Sequence, residues 1–476
     1  MRADNYLLRA DLGGTLPQGA GETLLKLVHL SDAHVIDSVS PARSEWIELL
    51  ADDPYWKPLL HMHRPYEALT HWALAAHVQS LHRKPLAPWS QQTFDLALST
   101  GDNIDNAQAN ELQTYLKIMA GGHTALSAYG GVHEPGRELG AGTWPFWCPE
   151  AEVPNAWSQQ GYPVVPGFVA RASAELHSPG LGFAWTSVPG NHDLMRQGTA
   201  LPNPTIEALA VGGSKALAGT AGWRPTDPLR QFVETPEQFS TGDALRLIAA
   251  SPQRRAVDLP EWIAAHMQHG AQGYGRHNLR EGCADTCIDF EHVRIVLLDT
   301  NHPAGDYQGS VGAAQLDWLE DRLAEVDRQP GRIAVLASHH GSVSLTNTRG
   351  DDPDRQLAEA LTRVAHRHPC VVAWLVGHRH LHRVVPHPHP EGQGHGFWEI
   401  TTASLIDWPS QTRAVEFIRN GDGTLEIVCT LLDHGAEPGS LAALHRDLSR
   451  RFAGIGAGHM QGEAVDGNVR LLLPLG

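Results

Sequence analysis

The chain has 476 residues, with 36 Lys and Arg against 53 Asp and Glu and a formal net charge of -17; that balance argues against gripping long nucleic acid through its phosphates, which needs a basic face. Its five cysteines are odd in number and irregularly spaced, so they read as scattered thiols of a reducing, cytoplasmic setting rather than a disulfide framework or a zinc site. No stretch is apolar for long enough to span a bilayer, and residues 1–21 carry no apolar core with a cleavage signal.

The apolar run 24–30 predicts a strand that ends at Ser31 and puts Asp32, Ala33 and His34 on the loop beyond it. A helix should follow from Pro65 to about His82. Run 94–99 is the next strand and leads into Gly101 and Asp102, and a second helix is expected from Asp105 to Ala120. A stretch rich in Gly, Pro and Trp, about 121–180, contains Trp144, Trp147 and Trp157. Strand 183–188 then leads into Gly190, Asn191, His192 and Asp193, and a second expansion fills residues 194 to about 282. Beyond it come a strand at 292–298 and a helix from Ala313 to Asp327, with Leu316, Leu319 and Leu323 on one stripe. Run 333–337 ends at Ser338, His339 and His340, and run 371–376 ends at Gly377, His378, Arg379 and His380. Runs 413–418 and 424–428, separated by Asn420, Gly421, Asp422 and Gly423, form a hairpin, and 439–476 is read as a C-terminal helix and tail.

Five strands thus deliver polar residues at their carboxyl ends, where open α/β sheets assemble their sites. Carboxylate, imidazole and amide donors suit Mn, Fe, Zn, Co or Ni better than calcium, which prefers an all-oxygen cage. One carboxylate can bridge two such ions roughly 3.5 to 4 Å apart, a spacing that clamps both oxygens of an in-line phosphoryl displacement. No Gly-x-Ser-x-Gly stands in a strand-to-helix context, so a serine nucleophile does not compete. Each segment alone is a common accident in a chain with 29 histidines; the order of all five is not.

Asp32-x-His34, Gly101-Asp102, Gly190-Asn191-His192-Asp193, His339 and Gly377-His378-x-His380 together resemble the calcineurin-like metallophosphoesterase superfamily. The resemblance implies an α-β-β-α two-sheet sandwich with large inserted loops, two divalent transition-metal ions, and a small phosphoester substrate. It assigns Asp32, His34 and His380 to the first ion, Asn191, His339 and His378 to the second, and Asp102 to the bridge. His192 becomes the histidine that binds the phosphoryl group or protonates the leaving oxygen, with Asp193 orienting it. Purple acid phosphatases carry Gly where His34 stands and Tyr where this chain has Asp105. The chain is more similar to the bacterial branch that includes class III cyclic nucleotide phosphodiesterases. The implied reaction is attack of metal-activated hydroxide on a cyclic nucleotide-like phosphodiester, with His192 as the acid.

A phosphomonoesterase such as a nucleotidase is the competing enzyme, and a binding scaffold is disfavoured because it has no reason to keep the ligand set. Since the ligands run from 32 to 380, residues 1–476 are read as one catalytic domain. The expansions at about 121–180 and 194–282 leave from ligand-bearing strands and are expected to form a substrate cap. Arg43, Arg64 and Arg413 are candidates to reach substrate, with structural pairing as their default. Cys283 and Cys287 could pair, and His382, His387, His389 and His395 are read as surface or supporting residues.

Overall fold

The computed structural model describes residues 5–16, 19, 21–60, 63–126, 146–150, 156–392, 394–457 and 462–475. In chain order the strands of its two large sheets are β1 (Leu7–Arg9), β2 (Glu22–Leu30), β3 (Leu96–Ser99), β4 (Trp185–Ser187), β5 (Thr286–Asp289), β6 (Val293–Leu298), β7 (Ile333–Ser338), β8 (Val371–Val376), β9 (Arg383–His387), β10 (Phe397–Thr401), β11 (Gln411–Arg419), β12 (Thr424–Asp433) and β13 (Val469–Pro474). The first sheet has the order β1-β13-β12-β11-β2-β3-β4 and the second β9-β10-β8-β7-β6-β5. β2, β3 and β4 run parallel, as do β6, β7, β8 and β10. The hairpin β11–β12 lies antiparallel to β2.

Residues alternate between faces along each strand, and the burial follows. Leu25, Leu27, Leu96 and Leu98 of the first sheet meet Ile295, Leu297, Val335 and Leu375 of the second in one apolar layer. On the outer face of the first sheet, Leu30 and Ala97 pack under helices α1 (Thr70–Arg83), α2 (Ala109–Ala120) and α3 (Leu259–Gln268). Val296, Leu336 and Trp374 of the second sheet pack under α4 (Ala313–Asp327) and α5 (Ala358–Arg367). This is the α-β-β-α sandwich. Because parallel strands are covered on both faces, they read as unbroken apolar runs, and β6, β7 and β8 are buried along their whole lengths.

Three boundaries depart from the sequence reading. The first helix is regular only from Thr70, after a short 3-10 turn at Glu67–Leu69. The second begins at Ala109, because residues 104–108 are committed elsewhere: Ile104 bridges Val35, Ala107 has a φ of 51°, and Gln108 is extended. Past residue 439 there is a helix, α6 (Leu441–Phe452), but the expected tail holds β13, an inner strand between β1 and β12. Its run of leucines pairs with β12 and enters the layer between the sheets.

The second expansion is self-structured. It contains a helix at Pro204–Val211, a ribbon of Ser214–Ala218 with Ala244–Leu247, a helix at Pro228–Glu234, and α3. Buried ion pairs tie it to the loop beyond His34: Lys215 Nζ lies 2.6 Å from Glu45, and Arg254 Nε 2.7 Å from Asp37. Of the first expansion, the ribbon Gly122–Thr124 with Leu176–Ser178 is described, and Trp147 and Trp157 pack with Tyr66 and Leu448. Trp144 and the rest of 127–145 and 151–155 lie outside the described residues. Among the described residues no helix is long and apolar enough to cross a membrane, and all five cysteines are free thiols.

Candidate metal centre

The loops after β2, β3, β4, β7 and β8 meet at one point. Asp32 N–H donates to Gly101 O (2.9 Å) and His34 N–H to Asp102 O (3.0 Å), which locks the first two loops together. His378 N–H donates to the Asp32 carboxylate (3.1 and 3.2 Å), which ties in the fifth. Asp32, His34, Asp102, His378 and His380 all have left-handed backbones, with φ of 52°, 42°, 50°, 66° and 55°. Such a conformation costs a non-glycine residue roughly 1–2 kcal/mol, and it persists where surrounding structure enforces it at a functional site.

One half of the cluster consists of Asp32, His34 and His380. His380 Nε2 lies 3.2 Å from Asp32 Oδ1 and 3.2 Å from His34 Nε2. In the other half, His339 Nε2 lies 2.9 Å from Asn191 Oδ1, and the His339, His340 and His378 rings stand together. Asp102 sits between the halves, its Oδ2 3.1 Å from His339 Nε2 and 3.8 Å from His34 Nε2.

The outward-facing atoms decide what the inward-facing ones offer. His34 Nδ1 is held by Asp105 Oδ1 (3.1 Å), His380 Nδ1 by Asp407 Oδ2 (2.7 Å), and His339 Nδ1 by Thr100 O (2.7 Å). Asn191 Nδ2 donates to Gly198 O (2.9 Å). A neutral imidazole that donates from Nδ1 keeps a lone pair on Nε2, so three rings and an amide oxygen turn lone pairs toward one another and toward Asp32 and Asp102. Acceptors facing acceptors need cations between them, and outer partners of this kind typically orient the ligands of a metal. The residues therefore fit two divalent ions. His340 stands apart: its Nδ1 meets the Thr300 hydroxyl (2.8 Å) and its Nε2 the Tyr307 carbonyl (3.1 Å), which leaves no lone pair free.

Without metal, protons do part of this work. Burial alone would lower the His339 and His380 rings, yet Asp102 holds the first, and Asp32 the second, up at about 9. His34 and His378 are held well below the ordinary histidine value, first by burial and then by the neighbouring rings His192 and His340. Asp102 is held well below the carboxylate range: burial opposes this, but His339 and His192 outweigh it.

His192 borders the cluster with its side chain 22% exposed, and it is not oriented as the sequence suggested. Asp193 occupies the first turn of the short helix Asn191–Leu194. Its Oδ2 turns back to accept from Gly190 N (2.8 Å) and Asn103 Nδ2 (3.1 Å). The residue that orients the imidazole is Asp105, whose carbonyl accepts from His192 Nδ1 (2.7 Å) and whose carboxylate lies 3.3 Å from the same atom. Asp105 thus supports His34 and His192 together, and Arg43 anchors its other oxygen. Its spacing three residues after Asp102 was the available signal. Burial pushes Asp193 up to about 7 and His192 down to about 4.

Asp407 is a second supporting residue that sequence reasoning left without a role. It receives His380 Nδ1, both Arg64 Nε and Nη2 (3.0 Å each), and the Tyr66 hydroxyl (2.9 Å). The three arginines considered for substrate contact are each engaged by other groups of the chain. Arg43 pairs with Glu67 (2.9 Å) and Glu45 (3.3 Å), Arg64 with Asp407, and Arg413 donates to Asp466 O (2.7 Å) and Gly467 O (3.1 Å).

The fold and site define a two-sheet α/β protein with a dinuclear-type ligand cluster at its strand ends. No family model matches the chain. Over 87 residues, 18% of this chain, it is 33% identical to a protein named probable cyclic nucleotide phosphodiesterase from Synechococcus sp. (strain WH7803). Over 128 residues, 26% of this chain, it is 26% identical to a manganese-dependent ADP-ribose/CDP-alcohol diphosphatase from Xenopus tropicalis. The matches span 32% and 31% of those relatives' own lengths. A solved dimetal phosphatase from Danio rerio aligns at 12% identity over 87% of this chain and 97% of its own, with a TM-score of 0.44. The ordered ligand blocks and these partial sequence matches are consistent with the calcineurin-like metallophosphoesterase superfamily.

Proposed function

We propose that the protein is a metal-dependent phosphoric ester hydrolase acting on a small phosphodiester of the cyclic nucleotide kind. Asp32, His34 and His380 hold one ion, Asn191, His339 and His378 the other, and Asp102 lies between them. The observation that carries this reading is the single Asp102 oxygen set 3.1 Å from His339 and 3.8 Å from His34, amid lone pairs fixed inward by Asp105, Asp407, Thr100 and Gly198. When bound, divalent ions at these residues supply positive charge for the phosphoryl oxygens and lower the pKa of water.

The chain's own groups do the rest. The His192 backbone N–H donates to Asp102 Oδ1 (2.8 Å), which ties the turn carrying the candidate acid to the bridging position. Its Nδ1 is fixed on Asp105 O, so Nε2 is the atom left to serve the leaving oxygen. Burial holds the ring down at about 4, so it is neutral before reaction, and in this reading Nε2 takes up the proton released by the attacking water and passes it to the leaving oxygen. The second expansion is tied to the loop beyond His34 and is the proposed limit on substrate size. Five free thiols suit a reducing compartment.

The test is hydrolysis of bis(p-nitrophenyl) phosphate against p-nitrophenyl phosphate with Mn present, followed by a panel of cyclic nucleotides. Faster turnover of the diester supports the proposal. Preference for the monoester would favour a phosphomonoesterase, and inertness toward every ester would overturn the reading.

A further inference from the structure

Arg379 stands between His378 and His380, and the left-handed φ of both neighbours fixes where its stem leaves the backbone. Its side chain is exposed and lines a cleft together with Arg383, the first residue of β9, which is exposed as well. Gly377 is also part of the cleft's lining. The same glycine lies close to the centre: a Cβ at Gly377 would stand 2.8 Å from Asp32 Oδ2. Gly377 therefore both lines the cleft and packs against a candidate metal ligand.

Neither guanidinium has a hydrogen-bond or ion-pair partner among the described residues. That matters in a chain of net charge -17, where Arg43 and Arg64 beside the same centre are each held by carboxylates. The one carboxylate lining the cleft, Glu399, is only 3% exposed and is engaged by His387 Nε2 (2.8 Å) and Ser342 N (3.3 Å). Two exposed arginines thus line the mouth of one small cleft whose lining carboxylate is already engaged. Arginine forks match phosphate oxygens in charge and geometry.

We propose that Arg379 and Arg383 form an anion subsite beside the metal centre that receives a second, non-reacting phosphate of the substrate. The preferred substrate class is then a phosphoester that carries a further phosphate group. This rests on the phosphoesterase reading above, which accounts for the reacting phosphate but leaves the rest of the substrate open. The subsite is exposed, so its contribution should fade as salt rises.

The probes are thymidine 3′,5′-bisphosphate and thymidine 5′-monophosphate, titrated by calorimetry into the Mn-loaded protein, with R379A, R383A and R379K alongside wild type. Charge-assisted bonds of this kind predict that each alanine variant loses roughly ten- to hundredfold in affinity for the bisphosphate. Affinity for the monophosphate should move far less, and R379K should keep part of the binding. Equal losses on both probes, or none on either, would overturn the subsite. The same variants are then assayed on thymidine 5′-(p-nitrophenyl phosphate) with and without a 3′-phosphate, where the loss should fall on KM for the 3′-phosphorylated ester. If neither ester is hydrolysed by any form, the phosphoesterase reading fails, while the calorimetry still decides the subsite.

Discussion

Gly198 offers a sharp test of how the centre is held. Its φ is +66°, and a Cβ added there would collide with the His192 imidazole and stand 2.5 Å from Asn191 Nδ2. In Gly198→Ala the left-handed backbone alone costs roughly 1–2 kcal/mol, and overpacking typically costs roughly 1–3 kcal/mol. If the turn shifts to relieve the clash, Gly198 O moves away from Asn191 Nδ2, and the amide that points Oδ1 at His339 loses its anchor. A displacement on the order of 1 Å can cost about a hundredfold in rate. The assay is kcat and KM on bis(p-nitrophenyl) phosphate with Mn, with metal content and thermal melting measured on the same samples. The expected variant melts earlier, loses metal from the Asn191 half and turns over at least about a hundredfold more slowly. A variant with wild-type rate and full metal would refute the claim that this turn fixes Asn191 and His192.

Three further outcomes follow. His192→Ala should keep its metals while kcat falls by roughly 10² to 10⁴, less for a p-nitrophenyl ester than for an alkyl ester, whose leaving oxygen needs the proton more. Metal loss, or equal slowing of both esters, would reassign the residue. Asp407→Asn removes the charged partner of His380 and should weaken binding of one ion by roughly 10- to 100-fold while the other stays; calorimetric titration resolving two unchanged sites would contradict this. Finally, rings held at about 9 carry protons at neutral pH, as His339 and His380 do in the metal-free protein, and metal must displace them. Affinity should therefore rise as pH climbs toward that value, with protons released on binding; calorimetry in buffers of different ionisation enthalpy that finds no release would count against it.

The parts of the molecule legible in the sequence were those with a short-range signature. Parallel strands buried on both faces leave unbroken apolar runs, so β2, β3, β7 and β8 and the ligands at their ends could be placed. The hairpin β11–β12 announced itself through its Gly and Asp turn. Strand β13 was missed because its leucines are explained only by pairing with β12 and β1, contacts that no local pattern encodes. At the site, residue types identified the ligands but not their supports. Asp193, next to His192 in sequence, was the natural orienting group, yet a short helix turns its carboxylate onto backbone N–H groups. Asp105, which does hold the ring, comes from a different strand end. Asp407 supports His380 from beyond β10, a distance only the folded chain closes.

The central claim is that one carboxylate, Asp102, joins two metal halves into a phosphoesterase centre. Metal analysis of wild type and Asp102→Asn after metal-replete purification, coupled to bis(p-nitrophenyl) phosphate turnover on the same samples, tests it most directly. Wild type should hold about two transition-metal equivalents per chain, and the variant should lose both metal occupancy and several orders of magnitude in rate. Wild type with only trace metal and no activity regained on adding Mn, Zn, Fe or Co, or a variant that keeps both its metal and its rate, would contradict the account.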